Sequence, residues 1–217
     1  MAREVELRND KAIALLFGWT VLAVSALLVA QEAEGNGRVV VERTAAATGT
    51  ALAVEAQGVA ISLIFTPSVQ YWGQDIKKWA GEFGLDPNLV ATVMQIESCG
   101  LPGAVSSAGA QGIFQVMPFH FDEDDDMLDP DTNADKGLAY LALGLERAGG
   151  NIELALAGYN GGHSQIGKDS SLWPEETKRY VYWGSGIYAG DSGRLQEWLE
   201  AGGQSLCDRA EEELYLK

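Results

Sequence analysis

Basic residues are scarce in this chain. Fifteen Lys and Arg stand against 31 Asp and Glu, a formal net charge of −16 at pH 7. So few cations would displace few counterions from phosphates, which argues against a nucleic-acid partner. The same deficit argues against a basic peripheral membrane protein. Histidine is limited to His120 and His163, and cysteine to Cys99 and Cys207. That supply suits neither a His-rich metal centre nor a four-cysteine zinc site, and two cysteines cannot staple a disulfide-rich mini-protein. No metal or cofactor is expected. Clear strand alternation is missing as well. Apolar material is plentiful: 47% of the 217 residues are hydrophobic, enough for one ordinary domain with appendages.

Residues Ala12 to Ala30 carry no charge and are mostly Ala, Leu and Val. At helical rise they span ~28 Å, close to the hydrocarbon thickness of a bilayer. The eleven residues before them mix Arg3, Arg8 and Lys11 with Glu4, Glu6 and Asp10, and Leu28 spoils a small-x-small cleavage pattern. An uncleaved transmembrane anchor over 1–30 is therefore favoured over a cleaved signal peptide. In either case the rest of the chain is expected outside the cytoplasm, in the envelope or secreted. Residues 31–67 read as a connector, low in complexity and free of aromatics until Phe65. Within it, the apolar run from Val59 to Phe65 is expected to dock on the edge of the following domain.

Residues 68–217 read as one all-α domain. Ile76, Trp79, Ala80 and Phe83 recur at helical spacing before Gly84. Asp86-Pro87 is a helix start, Asp as N-cap and Pro in the first turn. Ala104 to Gly112 reads as small and flexible, Ile113 to Met117 as a short helical turn, and Phe119 to Asp131 as an acidic loop. Further helices are expected from Thr132 or Asn133, from Asn151 and from Pro174. A closing pair is expected over 193–200 and 204–216.

Glu97 is the position that invites chemistry. It lies seven residues after Val90, four after Val93 and three after Met94, which puts it on the apolar stripe of its helix. Desolvation there raises a carboxyl pKa, and an acid still protonated near neutral pH can serve as a general acid. On periodicity alone, a helix-end Glu reaching out to water is the better reading.

The surrounding residues change that balance. Gln95-Ile96-Glu97-Ser98, followed by the run Ala104-Val105-Ser106-Ser107-Ala108-Gly109-Ala110-Gln111-Gly112-Ile113-Phe114-Gln115-Val116-Met117-Pro118, resembles the soluble-lytic-transglycosylase (SLT) family of lytic transglycosylases. Two more blocks occur in the family's order: Ala157-Gly158-Tyr159-Asn160-Gly161-Gly162, and Glu176-Thr177-Lys178-Arg179-Tyr180-Val181. Three blocks in order form a specific signal. Ile113-Phe114 stands where the family has Leu-Met, Gly158 displaces an Ala, and Cys99 is not general in the family.

The resemblance implies a lysozyme-like helical fold. It also implies non-hydrolytic cleavage of the β-1,4 bond from N-acetylmuramic acid to N-acetylglucosamine in peptidoglycan, leaving 1,6-anhydro ends. Glu97 would be the single general acid and base, assisted by the substrate's N-acetyl group. Ser106, Phe114, Gln115, Tyr159, Asn160 and Tyr180 are the implied substrate-binding positions, with Gln115 bonding Glu97 or the sugar. For Tyr159 an ordinary core tyrosine and for Gln115 a helix-packing glutamine remain alternatives; Phe114 reads more as wall and core; for Tyr180 groove floor and helix lock weigh equally. Glycan strands are the expected partner, the membrane is reached through the N-terminal helix, and the protein is expected to be a monomer. Two rivals stand beside this: a goose-type muramidase, which needs a further carboxylate for which 122–126 is the nearby supply, and a non-catalytic glycan-binding module.

A Cys99–Cys207 disulfide is favoured over two free thiols in a compartment where disulfides persist. It would close a loop worth ~4–5 kcal/mol in the chain-entropy picture. The acidic run Asp122 to Asp126 lacks the Gly and closing Glu of a calcium loop and reads as solvated.

Overall fold

A computed structural model describes residues 61–215. The expected anchor over 1–30 and the connector as far as residue 60 lie outside the described residues. Every regular element described is helical, as expected. The principal helices are α1 (Pro67–Tyr71), α2 (Gly73–Phe83), α3 (Pro87–Glu97), α4 (Pro130–Arg147), α5 (Ile152–Gly161), α6 (Glu175–Tyr188), α7 (Ser192–Trp198) and α8 (Gln204–Tyr215). Among the described residues no helix is long and apolar enough to cross a membrane.

The architecture is organised around α3. Asp86 caps it by accepting from the Asn88 amide at 2.7 Å, and Pro87 fills the first turn. Its residues Leu89 to Gln95 are buried without interruption, so α3 is a central helix, not the amphipathic one that the spacing alone implied. The polar side chains on it are satisfied. The Thr92 hydroxyl donates to the Asn88 carbonyl at 2.7 Å, and Gln95 Oε1 accepts from the Thr66 amide and hydroxyl at 3.1 and 3.0 Å. Helices α2 and α6 flank α3, α5 lies against both α4 and α6, and α8 returns to α1. Ile61 and Phe65 are buried in the same core, so the part of the docking segment that is described does dock.

Cys99 and Cys207 form a disulfide with Cα atoms 5.0 Å apart across 108 positions of sequence. It fastens α8 to the turn that follows α3. Between α7 and α8 the chain kinks over Leu199–Gly203, where Gly202 turns to φ 129°.

Two local expectations are corrected. Residues 113–117 are not a helical turn. Gln111 and Val116 exchange backbone hydrogen bonds at 3.0 and 2.9 Å, Gly112 and Gln115 take φ of 75° and 48°, and a right-handed helix cannot pass through that geometry. The loop from 104 is correspondingly held, with bridges Val105–Gln111 and Gln111–Val116. Helix α4 starts at Pro130, earlier than Thr132 or Asn133. Asp129 caps it by accepting from the Thr132 amide and hydroxyl, both at 2.9 Å, which leaves Asn133 inside the first turn.

Candidate active site

Glu97 is the last residue of α3, partly buried, at the wall of a cleft of about 570 Å³. Burial pushes its carboxyl up from 4.5 to about 8, the Tyr180 hydroxyl bonded to it works in the opposite direction, and the charge of nearby Glu176 adds to the rise. Tyr180 donates to Glu97 Oε1 at 2.8 Å. The other oxygen, Oε2, takes no hydrogen bond from the described residues and is not sealed off from solvent. Burial, then the proximity of Glu97, hold the Tyr180 and Tyr159 hydroxyls well above the usual phenol range, so both act as donors.

The end of α3 is tied to the glycine loop by its own C-cap. The Ser98 hydroxyl donates to the Ile113 carbonyl at 2.7 Å and accepts from the Gly100 amide at 3.0 Å. Asn133 holds the same loop from below. Its Oδ1 accepts from the Phe114 amide at 2.9 Å, while Nδ2 donates to the Gln111 and Met127 carbonyls at 2.8 and 2.9 Å. Tyr159 on α5 completes the frame, donating to the Phe114 carbonyl at 2.7 Å. A carboxylic acid kept protonated near neutral pH, with one oxygen anchored and the other accessible in a large cleft, is equipped to deliver a proton and take one back.

The transglycosylase SLT domain family matches residues 74–181, the span that contains α3, the glycine loop, Tyr159 and Tyr180. The chain belongs to that family. It is 36% identical over 111 residues to a transglycosylase of Enterobacteria phage PRD1, covering 50% of this chain and 40% of the relative. It is 28% identical over 111 residues to the membrane-bound lytic murein transglycosylase C of Yersinia pestis (strain Pestoides F), covering 42% and 31%. Among solved structures it is similar to an inactive mutant of the lytic transglycosylase Slt from Pseudomonas aeruginosa, with a TM-score of 0.40 and 23% identity over 64% of this chain and 24% of that one. The chain thus spans well under half the length of these relatives.

The SLT motif residues divide into those at the cleft and those that build its frame. Glu97, Asn160, Glu176 and Tyr180 line one cleft. Asn160 Oδ1 accepts from the Thr177 hydroxyl at 2.8 Å, which leaves Nδ2 as its available end. Gln115 does not bond Glu97. Its Nε2 donates to the Ala104 and Gly112 carbonyls at 3.1 and 2.9 Å, closing the loop on itself. Gln115 instead lines a second, smaller cavity with Tyr159 and Asn160. Ser106 Oγ accepts from the Ala110 amide at 2.9 Å and braces the turn. The substrate-binding expectation for Phe114 is corrected: its side chain is fully buried, edge-on to Trp79, and only its backbone serves the site.

Several contributors were missed in the sequence. Trp183, Trp198 and Ala201 line the Glu97 cleft, although all three lie beyond the matched family segment. Trp183 follows Tyr180 by one turn of α6, whereas Trp198 at the end of α7 and Ala201 in the kink after it reach the cleft only through packing, which no local pattern marks. Asn133 was legible as a helix-start residue but not as the organiser of a loop twenty residues earlier. The acidic loop lies elsewhere: Lys136 pairs with Asp122 at 2.9 Å and with Asp125 at 3.1 Å. Among the described residues no group of three or more acidic, His or Cys side chains converges as a metal site.

Proposed function

We propose that the protein is a peptidoglycan lytic transglycosylase with a lysozyme-like catalytic domain over 68–217, carried outside the cytoplasm by a membrane anchor over 1–30 and a connector over 31–67, and active as a monomer. The observation that carries this reading is the Glu97 carboxyl, raised to about 8 by burial and anchored by Tyr180 in the large cleft. Relatives named as transglycosylases support it.

In this reading Glu97 starts protonated and gives its proton to the glycosidic oxygen between N-acetylmuramic acid and N-acetylglucosamine. The C1–O bond breaks, and the N-acetyl oxygen of the muramoyl sugar shares the charge that develops at C1. Glu97, now a carboxylate steadied by the Tyr180 hydroxyl, takes the proton of the C6 hydroxyl. That oxygen bonds to C1, the N-acetyl group is released, and a 1,6-anhydro end results. One carboxyl serves both steps, and no water is consumed.

One observation favours the muramidase reading. Glu176 lines the same cleft as Glu97, so a second carboxylate is at hand, in a block other than the acidic loop. The test is mass spectrometry of muropeptides released from purified sacculi by the full-length protein, beside Glu97→Gln. Anhydro-muropeptides, one water lighter than lysozyme products and absent with the variant, are expected. Hydrated reducing ends that disappear in Glu176→Gln would give the site to a hydrolase. No release from either protein would leave a binding module.

A further inference from the structure

With 31 Asp and Glu against 15 Lys and Arg, nearly every described cation is claimed by a neighbour. Lys78, Lys136, Lys178 and Arg194 sit in ion pairs. Arg147, Lys168 and Arg209 hydrogen-bond to nearby groups. Arg179 is the exception. It is exposed on α6, and among the described residues it has no ion pair and no hydrogen bond. Glu175 is already bonded by Lys178 at 2.7 Å, and Glu176, one turn earlier, does not close on Arg179.

This uncommitted charge lies in the Glu97 cleft. Glu176, Arg179, Tyr180 and Trp183 are spaced three and four positions apart, so they share one stripe of α6, and all four line the cleft. Tyr180 is buried and bonded to Glu97, whereas Arg179 stands at the exposed rim. No other Lys or Arg lines the cleft among the described residues. Burial, Tyr180 and Glu176 set the Glu97 pKa, and Arg179 has no share in it. The guanidinium therefore acts away from the atoms that exchange the proton.

A guanidinium is a planar fork of donors that meets a carboxylate with two parallel hydrogen bonds. A chain with a net charge of −16, and with Glu176 in the same cleft, repels an anionic ligand unless a cation receives it there. The substrate of the reading above brings such an anion. Each muramoyl sugar has a lactyl carboxyl, either free or extended by a peptide that carries carboxylates of its own. We propose that Arg179 is a specificity-determining residue that binds a substrate carboxylate at the rim of the Glu97 cleft, so that strands bearing the charge are preferred over neutral glycan. The inference rests on the glycan reading and adds the substituent that the cleft selects.

The test uses the full-length protein carrying Glu97→Gln and four probes of matched length: neutral N-acetylglucosamine oligomers, peptide-free strands with free lactyl carboxyls, peptide-bearing strands, and the same peptide-bearing strands with their carboxyls amidated. Adding Arg179→Gln is expected to weaken binding of carboxylate-bearing probes by roughly three- to tenfold, with the loss confined to them. Arg179→Lys, which keeps the charge without the fork, should recover part of it. Loss on the peptide-free strands alone assigns the lactyl carboxyl. Loss on peptide-bearing strands that disappears on amidation assigns the peptide. In the Glu97-competent protein Arg179→Gln should raise KM for the charged strands while the alkaline limb of kcat/KM stays in place. Equal losses on charged and neutral probes, or no loss on any, would overturn the proposal. So would a displaced alkaline limb, which would put Arg179 in the proton chemistry. If the wild-type protein releases no anhydro-muropeptides, the transglycosylase reading fails, and the contrast between charged and neutral probes still decides the role of Arg179.

Discussion

Tyr180 and Glu97 are 83 residues apart in sequence, and the hydroxyl of one rests 2.8 Å from a carboxyl oxygen of the other. The bond joins α6 to the end of α3 and assigns the two Glu97 oxygens different duties. Oε1 is held by the protein, and Oε2 is left for a ligand. Donation from Tyr180 favours the carboxylate, while burial favours the acid, and burial prevails.

Tyr180→Phe removes the one interaction that lowers the Glu97 pKa. The alkaline limb of the kcat/KM profile is therefore expected to move above its wild-type position near pH 8. On the proposed mechanism turnover should fall by roughly tenfold, because the carboxylate that would accept the C6 proton loses its charged hydrogen bond. A pH–rate series on solubilised glycan strands measures both.

Glu97 also sets a pH dependence of stability. Its pKa is about 8 in the folded protein against 4.5 for an ordinary Glu carboxyl, so the folded state binds the proton more tightly than the unfolded chain. That contribution is complete below pH 4.5 and is lost as pH rises towards 8. Glu97→Gln lacks it. The variant's melting temperature relative to wild type is expected to climb by several degrees between pH 4.5 and 8 and to level off above, in calorimetry at stepped pH.

The Cys99–Cys207 bond closes a loop of more than a hundred residues. Cys207→Ser is expected to lose about 4–5 kcal/mol of stability on the chain-entropy estimate. Denaturant unfolding of the variant beside the oxidised and reduced wild type reads that loss directly. Activity at low temperature should also weaken, since α8 supports the kink that brings Ala201 to the cleft.

Gly112 and Gly109 make a matched pair. Both take positive φ, 75° and 89°, but a Cβ on Gly112 would run into the Asn133 carboxamide, while one on Gly109 meets open space. Gly112→Ala is expected to cost about 2–4 kcal/mol, from backbone strain and a displaced Asn133 together. Gly109→Ala should cost only the backbone part, about 1–2 kcal/mol. Thermal unfolding of the two variants side by side checks the difference.

The sequence by itself determined the helical class, the Asp86 and Asn151 caps, the start of α3 at Pro87 and the three motif blocks, because each depends on neighbours within a few turns of chain. It also singled out Glu97, through the motif run around it, since helical spacing alone favoured a helix-end Glu reaching water. Tertiary structure alone decided what Glu97 touches. Tyr180 was as easily a helix lock as a groove residue until α6 packed on α3. Gln115, for which the resemblance implied a bond to Glu97 or the sugar, has φ of 48° and donates instead to the Ala104 and Gly112 carbonyls. Trp198 reaches the cleft from beyond the family segment, and Phe119 stands free of the core. Such long-range placements follow from how helices pack on one another, and no local run of residues encodes the distance between two helices that meet only after the chain has folded.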